Sequence, residues 1–150
     1  MRKFAIILVA CLAVFSCNKE TKYSNIPKIS FLDLSRNIVK AGSDSIINVR
    51  FKFEDGDGNI GFNTPNLFFI DSRSGDTTPF TIPVIPTEQS PENGISGVIV
   101  IDYNAGFLLL RPDTAHLKRD TLHWTIFMKD EAKNESNLIR TSDLILVDSL

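Results

Sequence analysis

The densest polar stretch of the chain is Glu54-Asp55-Gly56-Asp57-Gly58-Asn59-Ile60-Gly61. Carboxylates at alternating positions separated by glycines can fold their oxygens around a hard cation such as calcium. An EF-hand loop would need Gly where Ile60 stands and Glu where Asn66 stands, so this is not an EF-hand. More plainly, Asp-Gly and Gly-Asn steps supply the positive backbone dihedrals of a tight turn or bulge. A second acidic stretch, Asp130 to Asn137, brings Glu131, Asn134 and Glu135 into one short loop. The candidate calcium ligands are Asp55, Asp57, Asn59, Asp130 and Asn134.

Support for catalysis is poor. The chain has 2 histidines, His116 and His123. A nucleophile needs a base within hydrogen-bond reach, itself oriented by a third group. There is no Gly-x-Ser-x-Gly elbow, phosphate loop or zinc-spaced His/Glu pair. The chain is therefore expected to be a non-enzymatic binding or structural module. The alternative is a small hydrolase or carbohydrate-active domain using Asp55, Asp57 and Asp130 as acid and base, which requires paired carboxylates inside a cleft.

The segments that would position these residues read as strands. Ile47, Val49, Phe51 and Phe53 alternate with polar residues over Ser45 to Glu54, so one face is in the core and the other in water. Leu122, Trp124, Ile126 and Met128 alternate with His123, Thr125, Phe127 and Lys129, and Trp124 is expected to fill the core. Shorter runs are Lys28 to Leu34, with Ile29, Phe31 and Asp33 on one face; Leu67 to Asp71; Thr77 to Ile85, an edge strand because of Pro79 and Pro83; and Leu138 to Val147. The adjacent Phe68 and Phe69 must point to opposite faces. Asn93-Gly94 signals a turn. Ile95 to Tyr103 and Phe107 to Leu110, flanking Asn104-Ala105-Gly106, suggest a hairpin.

Seven or eight short strands without a 3.6-residue period predict an all-β, antiparallel sandwich of the immunoglobulin or fibronectin type over residues 28–150. In a seven-strand sandwich the loops after the second and sixth strands share one end, which would bring Asp55, Asp57, Asp130 and Asn134 together. A full hairpin at Asn104 would instead put them at opposite ends.

Phe51 to Gly61 looks like the Asp-Gly-Asp-Gly-Asp-Ile-Gly stretch of small Bacteroidetes-type envelope lipoproteins. Asp120 to Asp130 resembles their late strand, and Asn134-Glu-Ser-Asn137 is similar to the Gly-Asn-x-Ser-Asn that follows it. Here Asn59 replaces Asp, and Lys133 replaces Gly. The resemblance implies an immunoglobulin-like fold and an envelope location rather than a mechanism.

The N-terminus agrees with that location. Arg2 and Lys3 precede an uncharged apolar run, Phe4 to Phe15, too short for a permanent membrane span. Val14-Phe15-Ser16-Cys17 resembles a lipobox, which implies a signal peptide over 1–16, diacylglyceryl on the Cys17 thiol, and a tether over 17–27. Leu8-Val9-Ala10-Cys11 is a rival, but it would leave a short apolar core before it and a greasy start to the mature chain. Acyl chains on Cys17 would attach the protein to a membrane, with the outer membrane expected and its side open. The further partner would be an unidentified protein or glycan.

The chain carries 16 Lys+Arg against 18 Asp+Glu, a charge of −2, and losing Arg2 and Lys3 leaves 14 against 18, or −4. Scattered basic residues give no nucleic-acid footprint. With Cys11 removed and Cys17 acylated, the domain would fold without a disulfide, on hydrophobic burial alone.

Overall fold

The computed structural model describes residues 23–85 and 94–149. The proposed signal peptide, Cys11, Cys17, most of the tether and Asn93 lie outside the described residues. The strands are β1 (Lys28–Leu34), β2 (Ile38–Lys40), β3 (Ile46–Asp55), β4 (Leu67–Asp71), β5 (Thr77–Phe80), β6 (Ile95–Asn104), β7 (Arg119–Leu122), β8 (Trp124–Met128), β9 (Ile139–Arg140) and β10 (Leu144–Val147).

One face is the antiparallel sheet β1-β3-β6 and the other is β5-β4-β8-β9, with a small third sheet, β2-β10-β7. His123 alone separates β7 from β8, and Thr141–Asp143 separate β9 from β10, so one antiparallel pair of arms serves two sheets. The only parallel pairing among these strands is β2 with β10. This is the expected all-β, immunoglobulin-like sandwich.

The core follows the period-two pattern. Ile47, Val49 and Phe51 are fully buried and Phe53 nearly so. Trp124, Ile126 and Met128 on β8 face them from the opposite sheet, and Leu122 on β7 joins the same core, all buried. Aromatic rings join the layers: Tyr103 on β6 lies 4.7 Å from Trp124 on β8, and Phe69 on β4 lies 5.9 Å from it. Phe68 points outward and stacks on Phe127 at 4.9 Å.

Several sequence expectations change. The described residues form ten strands rather than seven or eight, in part because the strands expected over Thr121 to Lys129 and Leu138 to Val147 each divide in two. In β1 the register shifts between Phe31 and Asp33. Leu34 therefore takes the core position, and Asp33 faces out to Arg50 at 3.3 Å. The expected strand over Thr77 to Ile85 stops at Phe80, although Ile82 is still buried. The Asn104 hairpin does not form. The Asn104 side chain accepts from Gly106 N–H (2.7 Å), closing a single 3-10 turn over Ala105–Phe107. Of the apolar run that follows, Leu108 plugs the core while Leu109 stays exposed, and the Leu109 carbonyl accepts from Arg73 rather than from a strand (2.9 Å). The chain thus crosses to the other sheet after β6, which restores the up-down alternation that puts the β3 and β8 loops at one end.

At the opposite end, burial of charge is resolved by pairing. Arg73 donates to both Asp71 oxygens and, through Nη1, to Asp120 Oδ2 at 3.1 Å, while Arg111 Nε reaches the same oxygen at 3.2 Å. Burial alone would raise the Asp120 pKa, but the Thr121 N–H and the two guanidinium groups hold it below its ordinary value. Breaking a buried pair leaves an uncompensated charge. Arg73→Met should therefore lower unfolding stability by about 3–5 kcal/mol in urea titration; a loss under 1 kcal/mol would show that this network contributes little.

Candidate metal centre

The site follows from strand alternation carried one step past the core. On β3 the inward positions are Ile47, Val49, Phe51 and Phe53, and the next is Asp55. On β8 they are Trp124, Ile126 and Met128, and the next inward residue beyond the strand is Asp130. These faces oppose each other, so two carboxylates meet where the apolar core ends. Both are fully buried.

Asp57, exposed, completes the group: one carboxylate oxygen from each of Asp55, Asp57 and Asp130 lies within 4.8 Å of the others. Gly58 takes φ +72°, turning the chain back. Asn59 then donates its N–H to Asp55 Oδ2 (3.0 Å) and its Nδ2 to Asp57 Oδ2 (3.0 Å). Two oxygens stay buried without a hydrogen-bond partner, Asp55 Oδ1 and Asn59 Oδ1. A buried acceptor left unpaired costs roughly 1–3 kcal/mol, and more if charged.

Asn134 lies beside the cluster and holds Asp130. Its N–H donates to Asp130 Oδ1 and its Nδ2 to Asp130 Oδ2, both at 2.7 Å. It orients the aspartate through its donors. Lys133 adopts φ +68°, and its N–H closes the turn onto the Asp130 carbonyl. The two loops are stitched together by Glu131 N–H to the Asn59 carbonyl (3.1 Å).

Buried Asn66, unassigned in the sequence, braces the assembly. Its Nδ2 donates to the Ile60 carbonyl, its Oδ1 accepts from Ile82 N–H, and its carbonyl accepts from Lys129 N–H. The only sequence signal for it was its position at the foot of β4. The histidines lie elsewhere: His116 is exposed in a 3-10 turn over Ala115–Leu117, and His123 sits at the far end of β8 from Asp130, contacting Arg140 and Asp143.

A concavity of about 780 Å³ lies at the opposite end, where Phe80, Tyr103, Phe107 and Leu109 line it together with Asp71, Arg73 and Arg111. It holds none of the sequence-predicted site residues.

The acidic group fits a divalent cation. Calcium binds oxygens at roughly 2.3–2.6 Å, so ligands facing each other across it lie about 5 Å apart. Asp55, Asp57 and Asp130 supply hard oxygen donors at that scale, and the Asn59 amide oxygen in the same loop is buried without a partner. Comparison of the chain with protein families, curated proteins and solved structures returns no match.

Burial and then the neighbouring Asp57 charge push Asp55 up to about 7, against an opposing pull from the Asn59 N–H. Because this folded-state value lies above the unfolded 3.8, the native state binds more protons between these values. Its contribution is complete below about pH 4 and is lost as pH rises through about 7. In chelator, stability should fall by a few kcal/mol between pH 5 and 8, and Asp55→Asn should flatten that slope. An equal slope in wild type and variant would assign it elsewhere.

Proposed function

We propose that this chain is a non-enzymatic, lipid-anchored bacterial envelope protein. Its sandwich domain would bind a calcium ion through Asp55, Asp57, Asp130 and the Asn59 amide oxygen. The observation that carries the cation reading is the fully buried Asp55 with an unpartnered oxygen inside a three-carboxylate cluster. A divalent ion supplies the positive charge that this arrangement otherwise lacks and ties together two loops from opposite sheets. The stiffened loops then form the polar end available to a protein or glycan partner.

Burial also favours this over acid–base chemistry. A glycosidase pair must flank a bond of its substrate, and two of the three carboxylates have no exposed surface. The anchoring part of the proposal rests on the lipobox-like Val14-Phe15-Ser16-Cys17 after a charged, then apolar, N-terminus. Two acyl chains on such a cysteine suffice for stable attachment, where one is marginal.

Thermal melting of the mature chain tests the cation. At a hundredfold excess over Kd, a ligand that binds only the native state adds about 2.7 kcal/mol. The midpoint should rise by several degrees in calcium, return in chelator and stay put in Asp57→Asn. An unchanged wild-type midpoint at millimolar calcium leaves the loop as a turn only. Anchoring is checked separately: palmitate label and membrane fractionation should be present in the wild type and lost in Cys17→Ser, and an unlabelled wild type contradicts the anchor.

A further inference from the structure

The acidic end is also where the chain enters the domain. Residues Tyr23–Asn25, just before β1, are gripped by the two loops that carry the carboxylates. Gly56, between Asp55 and Asp57, donates its N–H to the Ser24 carbonyl at 2.7 Å. Asn134 Nδ2, the group that holds Asp130, also reaches the Asn25 carbonyl at 3.5 Å. Tyr23 donates its hydroxyl to Ser96 on β6 at 3.1 Å.

The fit around Gly56 is steric as well. A Cβ built there would lie 2.4 Å from the Tyr23 carbonyl oxygen and 2.7 Å from Asn25 Oδ1. Gly94 backs it on another side: at φ +83°, a Cβ at Gly94 would lie 2.3 Å from the Asp55 carbonyl oxygen and 2.7 Å from Gly56 Cα. The segment can thus lie against the domain only while the Asp55–Asn59 turn keeps this shape.

We propose that cation occupancy controls this grip, so that the site is a clasp on the N-terminal segment. The inference rests on the cation reading above. With the ion bound, Asp55 and Asp57 are pulled to one point and the Gly56 N–H between them is aimed at Ser24. The same ion fixes Asp130 and, through it, Asn134. Without the ion, mutual repulsion of the carboxylates opens the turn, and the hydrogen bonds to Ser24 and Asn25 are lost together. Release of residues 23–27 adds five residues of free chain before β1, about 17 Å when extended. In an anchored protein, the cation would then set how far and how freely the domain stands from its membrane.

Hydrogen exchange on the whole mature chain tests this, with calcium binding followed in parallel by melting. In calcium, the Gly56 amide, the backbone donor to Ser24, should exchange at least tenfold more slowly than in chelator. Asp57→Asn should exchange at the fast rate in both conditions. Gly56→Ala keeps all the proposed ligands but fills the cradle. It should still show the calcium-dependent rise in melting midpoint, yet exchange rapidly at the residue-56 amide in both conditions. If wild type binds calcium and the Gly56 amide exchanges equally with and without it, the clasp is wrong while the cation site stands. If no calcium binds, both fall.

Discussion

Two aspartates stand where two facing strands run out of apolar residues. Asp55 continues the inward face of β3 and Asp130 that of β8. Strand alternation gives them no choice of direction: the backbone that buries Phe53 and Met128 also buries the next inward residue. Burying a carboxylate is costly unless it is paired or neutralised. The architecture of this end follows from that cost. Backbone N–H groups of Asn59 and Asn134 are turned inward to meet carboxylate oxygens, and Gly58 and Lys133 take left-handed backbone to allow it.

The opposite end meets the same problem with a different solution. Asp120 is nearly as buried, but Arg73 and Arg111 donate to it, and its pKa is held down. Asp55 is held down by one N–H, from Asn59, and pushed up by burial, Asp57 and Asp130. The contrast within one small domain is the physical reason for proposing a cation at one end, where the other has a closed ion network. A guanidinium is part of the chain and fixes its network permanently; a bound ion would come and go with its concentration.

Alternation made the two long strands legible, because Ile47 to Phe53 and Leu122 to Met128 each bury one face only. The convergence of Asp55, Asp57 and Asp130 was legible too, because both acidic stretches follow strands whose inward faces oppose each other. What hid the rest was non-local. Phe107 to Leu110 has the composition of a strand, but Leu108 is buried and Leu110 only packs against the core edge, while Phe107 and Leu109 are exposed. The bulge in β1 depends on pairing with β3, so Asp33 and Leu34 could not be sorted from their own segment. Arg73 carried no local sign that its partner lay 47 residues away at Asp120. Gly56 read as a turn residue. Its second duty, leaving room for Tyr23–Asn25, appears only when the entering chain is in place.

The most direct measurement is a crystal structure of the domain grown with calcium, with anomalous differences collected to identify the ion. The account predicts one anomalous peak with oxygens of Asp55, Asp57, Asp130 and Asn59 at about 2.3–2.6 Å. Asp55 and Asp57 sharing a proton beside ordinary water, with no anomalous peak at millimolar calcium, would contradict it.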